Sequence, residues 1–98
     1  MMVYTSTRDK SLSVTSAEAI TRGISAEGGL FVPCEIPAVS MDFIASMKDM
    51  SYKERAKKVL GLYLTDFTAE EISAFVEGAY KDGKFSSGEV APVVNLYD

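Results

Sequence analysis

The chain has 98 residues and a formal net charge of −4 at pH 7, with an isoelectric point near 4.8. This length suits one domain and is too short for two well-formed hydrophobic cores. The acidic balance disfavours nucleic acid and anionic membranes as partners, and the complete lack of histidine excludes Ser-His and Cys-His catalysis and disfavours a zinc site.

The cysteine count and the apolar content bear on the cellular compartment and on the surface of the protein. The single cysteine, Cys34, excludes an internal disulfide and suits a reducing compartment. The first residues lack the apolar core of a signal peptide, and no run approaches the ~20 apolar residues of a membrane span. We therefore expect a soluble cytoplasmic protein. Its 47% hydrophobic content indicates either a dense helical core or apolar surface that faces another domain or subunit.

The N-terminal quarter predicts a strand followed by a short helix. Thr and Tyr favour extended backbone, so residues 3–7 are predicted as a strand. Thr15 and Glu18 have the spacing of a capping box, in which two side chains satisfy exposed backbone N–H groups at a helix start. Gly23 suits the left-handed position after the helix end. The apolar stripe of this helix consists of Ala17, Ile20 and Ile24.

A pair of glycines separates that helix from a second predicted strand. Gly28 and Gly29 allow positive φ, which turns the chain into an apolar run at residues 30–32. Pro33 ends that run. We predict that residues 30–32 form a short buried strand paired with residues 3–7. Two short strands are marginal alone, so helices must cover them.

The second half of the chain predicts helices. A short helix opens at Ser40 or Met41, and another follows Ser51, which forms a capping box with Glu54. The short helix presents Phe43, Ile44 and Met47 on one face. The apolar positions of the longer one are Tyr52, Ala56, Val59, Leu60 and Tyr63.

The last predicted helix has the most regular apolar pattern. Thr68 and Glu71 form a third capping box. The stripe at i, i+3, i+4, i+7 and i+8 consists of Ile72, Phe75, Val76, Ala79 and Tyr80. Lys81 and Gly83 fit its C-terminal end. The short connection before Thr68 predicts that this helix packs antiparallel to the preceding one.

The C-terminal segment turns apolar after a polar, turn-forming stretch. Residues 90–96 contain Pro92 and are predicted to be extended. Because an apolar segment stands here without a helix end or polar tail, we expect a second domain to follow it.

Hydroxyls and cations at the end of the first strand could bind an anion. Ser6, Thr7, Arg8 and Lys10 offer groups suited to a phosphate or carboxylate. An edge strand followed by a solvated charged turn explains the same residues, and the residues alone favour it.

The glycine pair has two interpretations as well. Gly28 and Gly29 could form a backbone nest for an anion. A tight turn between helix and strand explains them more simply, and they lack the spacing of a dinucleotide-binding loop.

Two further features are interpreted as structural. A basic helix face is expected to be solvated, with Glu54 and Lys58 as an i, i+4 ion pair. That face consists of Lys53, Arg55, Lys57 and Lys58. Cys34 lacks a neighbouring cation or histidine that would activate its thiol, so we expect a structural role for it.

Three segments, read in order, carry a family resemblance. They are residues 4–8 (Y-T-S-T-R), 18–24 (E-A-I-T-R-G-I) and 27–33 (E-G-G-L-F-V-P). With the E-I-P exit at residues 35–37 and A-P-V-V at 91–94, they resemble the N-terminal domain of threonine synthase in order and spacing. The G-G-L-F-V-P segment is the most specific part. The resemblance covers essentially all of residues 1–98.

The resemblance implies a fold-type II pyridoxal-phosphate enzyme, a lyase of threonine biosynthesis that converts O-phosphohomoserine and water into threonine and phosphate. The family's cofactor-binding lysine lies in an H-G-P-T-x-A-F-K-D-like motif that this sequence does not contain. The resemblance therefore implies no catalytic or cofactor-binding residue here, and the chain alone is expected to be inactive. Given a phosphorylated substrate, the substrate-binding candidates are Ser6, Thr7 and Arg8 and, more weakly, Gly28 and Gly29.

The sequence as a whole predicts an α+β fold, mainly helical, with a two-stranded element and three or four helices. We expect a structural domain that packs against the enzyme's own catalytic domains and shields the active-site mouth. Two alternatives are a stand-alone helical interaction module and a small phosphate-binding domain. The latter would use Ser6, Thr7, Arg8 and Lys10.

Overall fold

A computed structural model describes residues 1–97 of the chain. The elements within them are β1 (Tyr4–Ser6), α1 (Ser16–Arg22), β2 (Phe31–Pro33), α2 (Met41–Ser46), α3 (Tyr52–Tyr63) and α4 (Ala69–Ala79). The prediction of an α+β fold, mainly helical with one two-stranded element, is confirmed. No helix in the described part of the chain is long and apolar enough to cross a membrane.

The strand β1 has a hydrogen-bonded neighbour on each side. It pairs antiparallel with β2, and the pairing continues where the Thr7 N–H donates to the Leu30 carbonyl at 2.9 Å. On the other edge, Tyr4 and Val14 exchange two backbone hydrogen bonds of 2.8 and 2.9 Å. A three-residue strand is marginal in isolation, so these two neighbours explain how so short a strand is held.

The second strand lies one residue later than predicted and is less buried. Pro33, expected to end the run, is the last residue of β2 and lies opposite Tyr4. All three residues of β2 are half-buried, and Leu30 before it is 61% exposed. The expectation of a buried strand is therefore wrong, because none of the described helices covers the Leu30 side.

The helix α1 begins and ends where its capping residues predicted, but it buries a different face. Gly23 has a φ of 76° at the C-terminal end. The inward face consists of Ser16 and Ala19, whereas Ile20 and Ile24 are 64% and 62% exposed. The predicted apolar stripe thus does not anchor α1, which is held instead through its polar N-terminal residues.

The helices α3 and α4 pack antiparallel, as predicted. Lys53 and Lys57 in the first half of α3 form ion pairs of 3.2 and 2.8 Å with Glu77, near the end of α4. At the same end, the rings of Tyr52 and Tyr80 meet edge to face, with centroids 5.2 Å apart.

The start of α4 matches its prediction, and its end does not. Thr68 Oγ1 accepts the Glu71 N–H at 3.1 Å, while the Glu71 carboxylate accepts the Thr68 N–H at 2.9 Å, which completes the capping box. The helix ends at Ala79, and Tyr80 leaves the helical conformation as its ring packs against neighbouring aromatic side chains. Gly83 has positive φ, but in the turn that follows.

The basic face of α3 is not simply solvated, which corrects the expectation. Arg55 donates hydrogen bonds of 2.8 and 2.6 Å to backbone carbonyls just after α2. Lys58 contacts Ser46 Oγ at 3.1 Å and lies over the Phe43 ring, 5.0 Å from its centroid, rather than pairing with Glu54. The long side chains reach the flanking helix, whose position the local sequence does not reveal.

The end of α3 and its connection to α4 hold the start of the chain. The Met2 N–H donates to Thr65 Oγ1 at 2.7 Å, and the Tyr4 hydroxyl donates to the Tyr63 carbonyl at 2.8 Å. Both bonds join residues about sixty positions apart. The start of the chain is therefore fastened to the turn between the two longest helices.

The same connection clamps α1 through Asp66. Its carboxylate accepts hydrogen bonds from the Ser16 hydroxyl and from the Ala17 N–H, the latter at 3.0 Å. Burial of the carboxylate acts to raise the pKa of Asp66, but the hydrogen bonds from Ser16, Ala17 and nearby backbone N–H groups outweigh it and lower that pKa. An ionised Asp66 at the N-terminus of α1 also suits the helix dipole.

The core draws on both halves of the chain. Its buried apolar side chains are Met2, Val14, Ala19, Ile72 and Val76. Residues 90–96 lie outside the helices and strands, and Val93 is fully exposed.

Candidate functional site

The end of β1 and the turn before β2 lie side by side, so the structure brings all five substrate-binding candidates together. We call them the Ser-Thr-Arg cluster: Ser6, Thr7, Arg8, Gly28 and Gly29. A Cβ on Gly28 would lie 2.7 Å from Arg8 Nη1, and Gly28 has a φ of 88°. A Cβ on Gly29 would lie 3.0 Å from the Arg8 backbone nitrogen. Both glycines therefore allow the turn to approach β1 closely.

A carboxylate from the chain occupies the cluster. The Ser6 hydroxyl donates to Glu27 Oε1, and the Ser25 hydroxyl donates to Glu27 Oε2 at 2.8 Å. Both serines are buried. The hydrogen bond from Ser6, followed by those from Ser25 and the Glu27 backbone, lowers the pKa of Glu27 against a smaller opposing effect of burial; the charge of Arg8 also lowers it. Glu27 is thus an ionised carboxylate already held by the two hydroxyls.

Thr7 and Arg8 keep donors that point to solvent. Thr7 Oγ1 accepts the Leu30 N–H at 2.9 Å, which leaves the hydroxyl proton free to be donated. The Arg8 backbone N–H donates to Ser6 Oγ at 3.1 Å, and its Nη1 donates to the Glu27 carbonyl at 3.1 Å. The side chain of Arg8 is exposed and has further guanidinium N–H groups. These two residues are the groups of the cluster best able to reach an external anion.

Lys10 lies on the exposed turn after the cluster. That turn is closed by Asp9 Oδ1, which accepts hydrogen bonds from the Ser11 N–H and hydroxyl at 3.0 and 2.6 Å. The turn therefore has its own local hydrogen bonding, separate from the Glu27 carboxylate.

Sequence reasoning missed Ser25 and Glu27 as members of this site. The only signal was the position of Glu27 immediately before the glycine pair, with a serine two residues earlier. Neither residue has a local pattern that identifies Ser6, about twenty positions away, as its neighbour.

The acidic side chains and the thiol are the remaining groups of the chain that could bind a metal ion. Within residues 1–97, no group of three or more Cys, Asp and Glu side chains is placed to bind a metal ion. Cys34, expected to be structural, is exposed just after β2. Its backbone N–H donates to the Val3 carbonyl at 2.9 Å, so only its main chain extends the strand pairing.

Sequence comparisons find relatives over most of the chain. Residues 3–80 match the protein family described as the threonine synthase N terminus. The threonine synthase of Schizosaccharomyces pombe is 35% identical over 95 residues, which cover 95% of this chain and 18% of that protein.

Solved structures give the same picture. Pyridoxal-phosphate-bound threonine synthase from Brucella melitensis superposes with a TM-score of 0.81 at 30% identity, over 97% of this chain and 20% of that one. Threonine synthase from Escherichia coli superposes with a TM-score of 0.75 at 26% identity, over 81% of this chain and 19% of that one. The present chain therefore spans about a fifth of the length of these relatives.

Proposed function

This chain belongs to the threonine synthase N-terminus family, and on that premise we propose that its full-length protein converts O-phosphohomoserine and water into threonine and phosphate. The main support for this proposal is the superposition of nearly the whole chain on a pyridoxal-phosphate-bound threonine synthase. Because the chain is about a fifth of such an enzyme, the activity is proposed for the complete polypeptide. Residues 1–98 alone are expected to be inactive.

We place the pyridoxal phosphate outside this chain. In such enzymes a lysine bonds to the cofactor, which supplies the electron sink when bound. Lys53 lines a surface depression, but Glu77 holds its ammonium group at 3.2 Å, and Lys81 lines another depression while remaining exposed. These lysines do not fit the cofactor, so we assign them no catalytic step.

We assign this domain a structural role within the enzyme. It would pack against the catalytic domains and shield the mouth of the active site. The exposed Ile20 of α1 and Ile24 just after the helix support such packing, because contiguous exposed apolar surface marks a contact site. The free thiol of Cys34 suits the reducing cytoplasm, where we place the enzyme.

The proposed activity is tested on the purified full-length protein. With pyridoxal phosphate and O-phosphohomoserine, we expect threonine and inorganic phosphate to form in equal amounts. Homoserine, which lacks the phosphate leaving group, is the matched control and should give no threonine. Phosphate release without threonine, or no reaction at all, would contradict the proposal.

We retain substrate binding by the Ser-Thr-Arg cluster as a second, narrower proposal. Arg8 and the Thr7 hydroxyl would contact the phosphate group, while Ser6 would position the turn through Glu27. Among the described residues, the guanidinium of Arg8 makes one hydrogen bond, to the Glu27 carbonyl, and is otherwise exposed, which favours this division of roles.

The variant Arg8→Ala separates substrate contact from a structural role. In the full-length enzyme we expect KM for O-phosphohomoserine to rise about tenfold or more, as for loss of a charge-assisted hydrogen bond. Arg22→Ala, which removes an exposed arginine of α1, should leave KM unchanged. An unchanged KM in Arg8→Ala with normal thermal stability would eliminate the contact.

A further inference from the structure

An apolar depression of about 430 Å³ opens on the surface between α1 and β2. Its apolar walls are Ile20, Leu30, Phe31 and Leu64, which we call the α1–β2 face. Among the described residues that line the depression, none is charged. The charged residues of α1, Glu18 and Arg22, line a different depression and pair with each other at 3.4 Å.

This face is open to solvent at its centre. Ile20 is 64% exposed and Leu30 is 61% exposed, although both belong to segments whose backbone is fixed by hydrogen bonds. Each Å² of apolar surface left in water forgoes roughly 25 cal/mol, so two open aliphatic side chains over an apolar hollow are unfavourable in isolation. Contiguous apolar surface of this kind marks a contact site.

We infer that the α1–β2 face is where the remainder of the same polypeptide docks, an inference that rests on the proposed function. In the superposed Brucella melitensis enzyme, this fold accounts for only 20% of the chain, so four-fifths of that protein lies outside it. Within the described residues, the apolar C-terminal segment does not line the depression, and Ile20 and Leu30 remain exposed beside it.

The chemistry of the face specifies its counterpart. Burying a charge against an uncharged apolar hollow would leave that charge unpaired, at a high cost in free energy. The docking segment therefore presents an aliphatic or aromatic side chain that enters the hollow between Ile20 and Leu30.

Thiol labelling of the full-length polypeptide tests the inference. Ile20→Cys and Leu30→Cys each place a thiol on the face, and Met41→Cys is the matched control, since Met41 is an apolar side chain 75% exposed at the start of α2. The native Cys34 serves as an internal reference. Maleimide labelling rates are read peptide by peptide by mass spectrometry, in native and in denatured protein.

We expect labelling at positions 20 and 30 to be at least about tenfold slower than at position 41 in the native protein, and equal after denaturation. Native rates at positions 20 and 30 within about twofold of that at position 41 would overturn the inference. Protection that disappears on dilution would also overturn it, by assigning the face to a second copy.

The assay for threonine formation, made on the unsubstituted protein, tests the proposed function independently of the labelling. Protection without activity would remove the proposed function and leave the docking face in place. Threonine formation without protection at positions 20 and 30 would support the proposed function and remove the docking face.

Discussion

The α3–α4 hairpin and the unit formed by β1, α1 and β2 are held together by different kinds of contact. In α4, the buried side chains are aliphatic, with Ile72 5% and Val76 1% exposed. The N-terminal part of the chain buries hydroxyl residues as well as apolar ones. These are Thr5, Ser6, Ser16 and Ser25. In the described part of the chain, no buried side-chain nitrogen or oxygen lacks a hydrogen-bond partner.

The two regions differ in the partner that each buried side chain requires. The aliphatic residues of α4 need only an apolar neighbour of suitable size, and many arrangements supply one. The buried serines need one acceptor at a fixed position, and Glu27 and Asp66 provide it. The N-terminal unit therefore depends on specific polar contacts, whereas the buried side chains of the hairpin contribute through apolar burial alone.

The largest effect is expected in the hairpin. Ile72→Ala should lower the free energy of unfolding of residues 1–98 by about 3 kcal/mol, because it removes buried methylene groups and leaves a cavity. Val59→Ala, at a position 41% exposed on α3, is the control and should cost less than about 1 kcal/mol. Urea unfolding followed by circular dichroism measures both. Equal costs would mean that the hairpin does not depend on the buried side of α4.

A smaller effect is expected at the clamp between the two halves. Asp66→Asn replaces one acceptor oxygen by an amide donor, so the Ser16 hydroxyl or the Ala17 N–H loses its partner. We expect a cost of about 1–2 kcal/mol near pH 7. Asp49→Asn, on an exposed turn, is the control and should leave the free energy of unfolding almost unchanged.

The clamp also predicts a pH dependence. The folded-state pKa of Asp66 is lowered from its usual 3.8, so its stabilising contribution is complete above that value and is lost as the pH falls through the lower folded pKa. The difference in unfolding free energy between the wild type and Asp66→Asn should therefore shrink below about pH 4. A difference that stays constant down to pH 2 would show that ionised Asp66 is not the stabilising species.

Local patterns in the sequence predicted much of the fold. Three helices begin directly after the capping residues expected for them, Thr15, Ser51 and Thr68, because a cap and its backbone partner lie within four positions of each other. For α2 the sequence left Ser40 or Met41 as the start, and the helix begins at Met41 with Ser40 as its cap. The two-stranded pairing was also predicted, although one residue out of position.

What could not be predicted depends on residues far apart in the chain. The acceptor for Ser16 lies fifty positions away at Asp66, and no local spacing identifies it. The exposure of Ile20 and Leu30 depends on which elements happen to cover them, so a helical or apolar pattern alone assigned them wrongly to the interior. The close approach of the five cluster residues follows from the β1–β2 pairing, and their contact with substrate stays a prediction.

The smallest effect is expected at Glu27, whose carboxylate lies nearer the surface than that of Asp66. Glu27→Gln keeps an acceptor for Ser6 or Ser25 but not for both, so it should lower the urea midpoint less than Asp66→Asn does. Because the folded pKa of Glu27 is lowered from 4.5, this difference should be present at neutral pH and should vanish as the pH falls through the lowered value. Glu35→Gln, at an exposed position after β2, is the matched control and should leave the urea midpoint unchanged at neutral pH. If Glu27→Gln lowered the urea midpoint more than Asp66→Asn, the hydrogen bonds to Glu27 would stabilise the N-terminal unit more than those to Asp66.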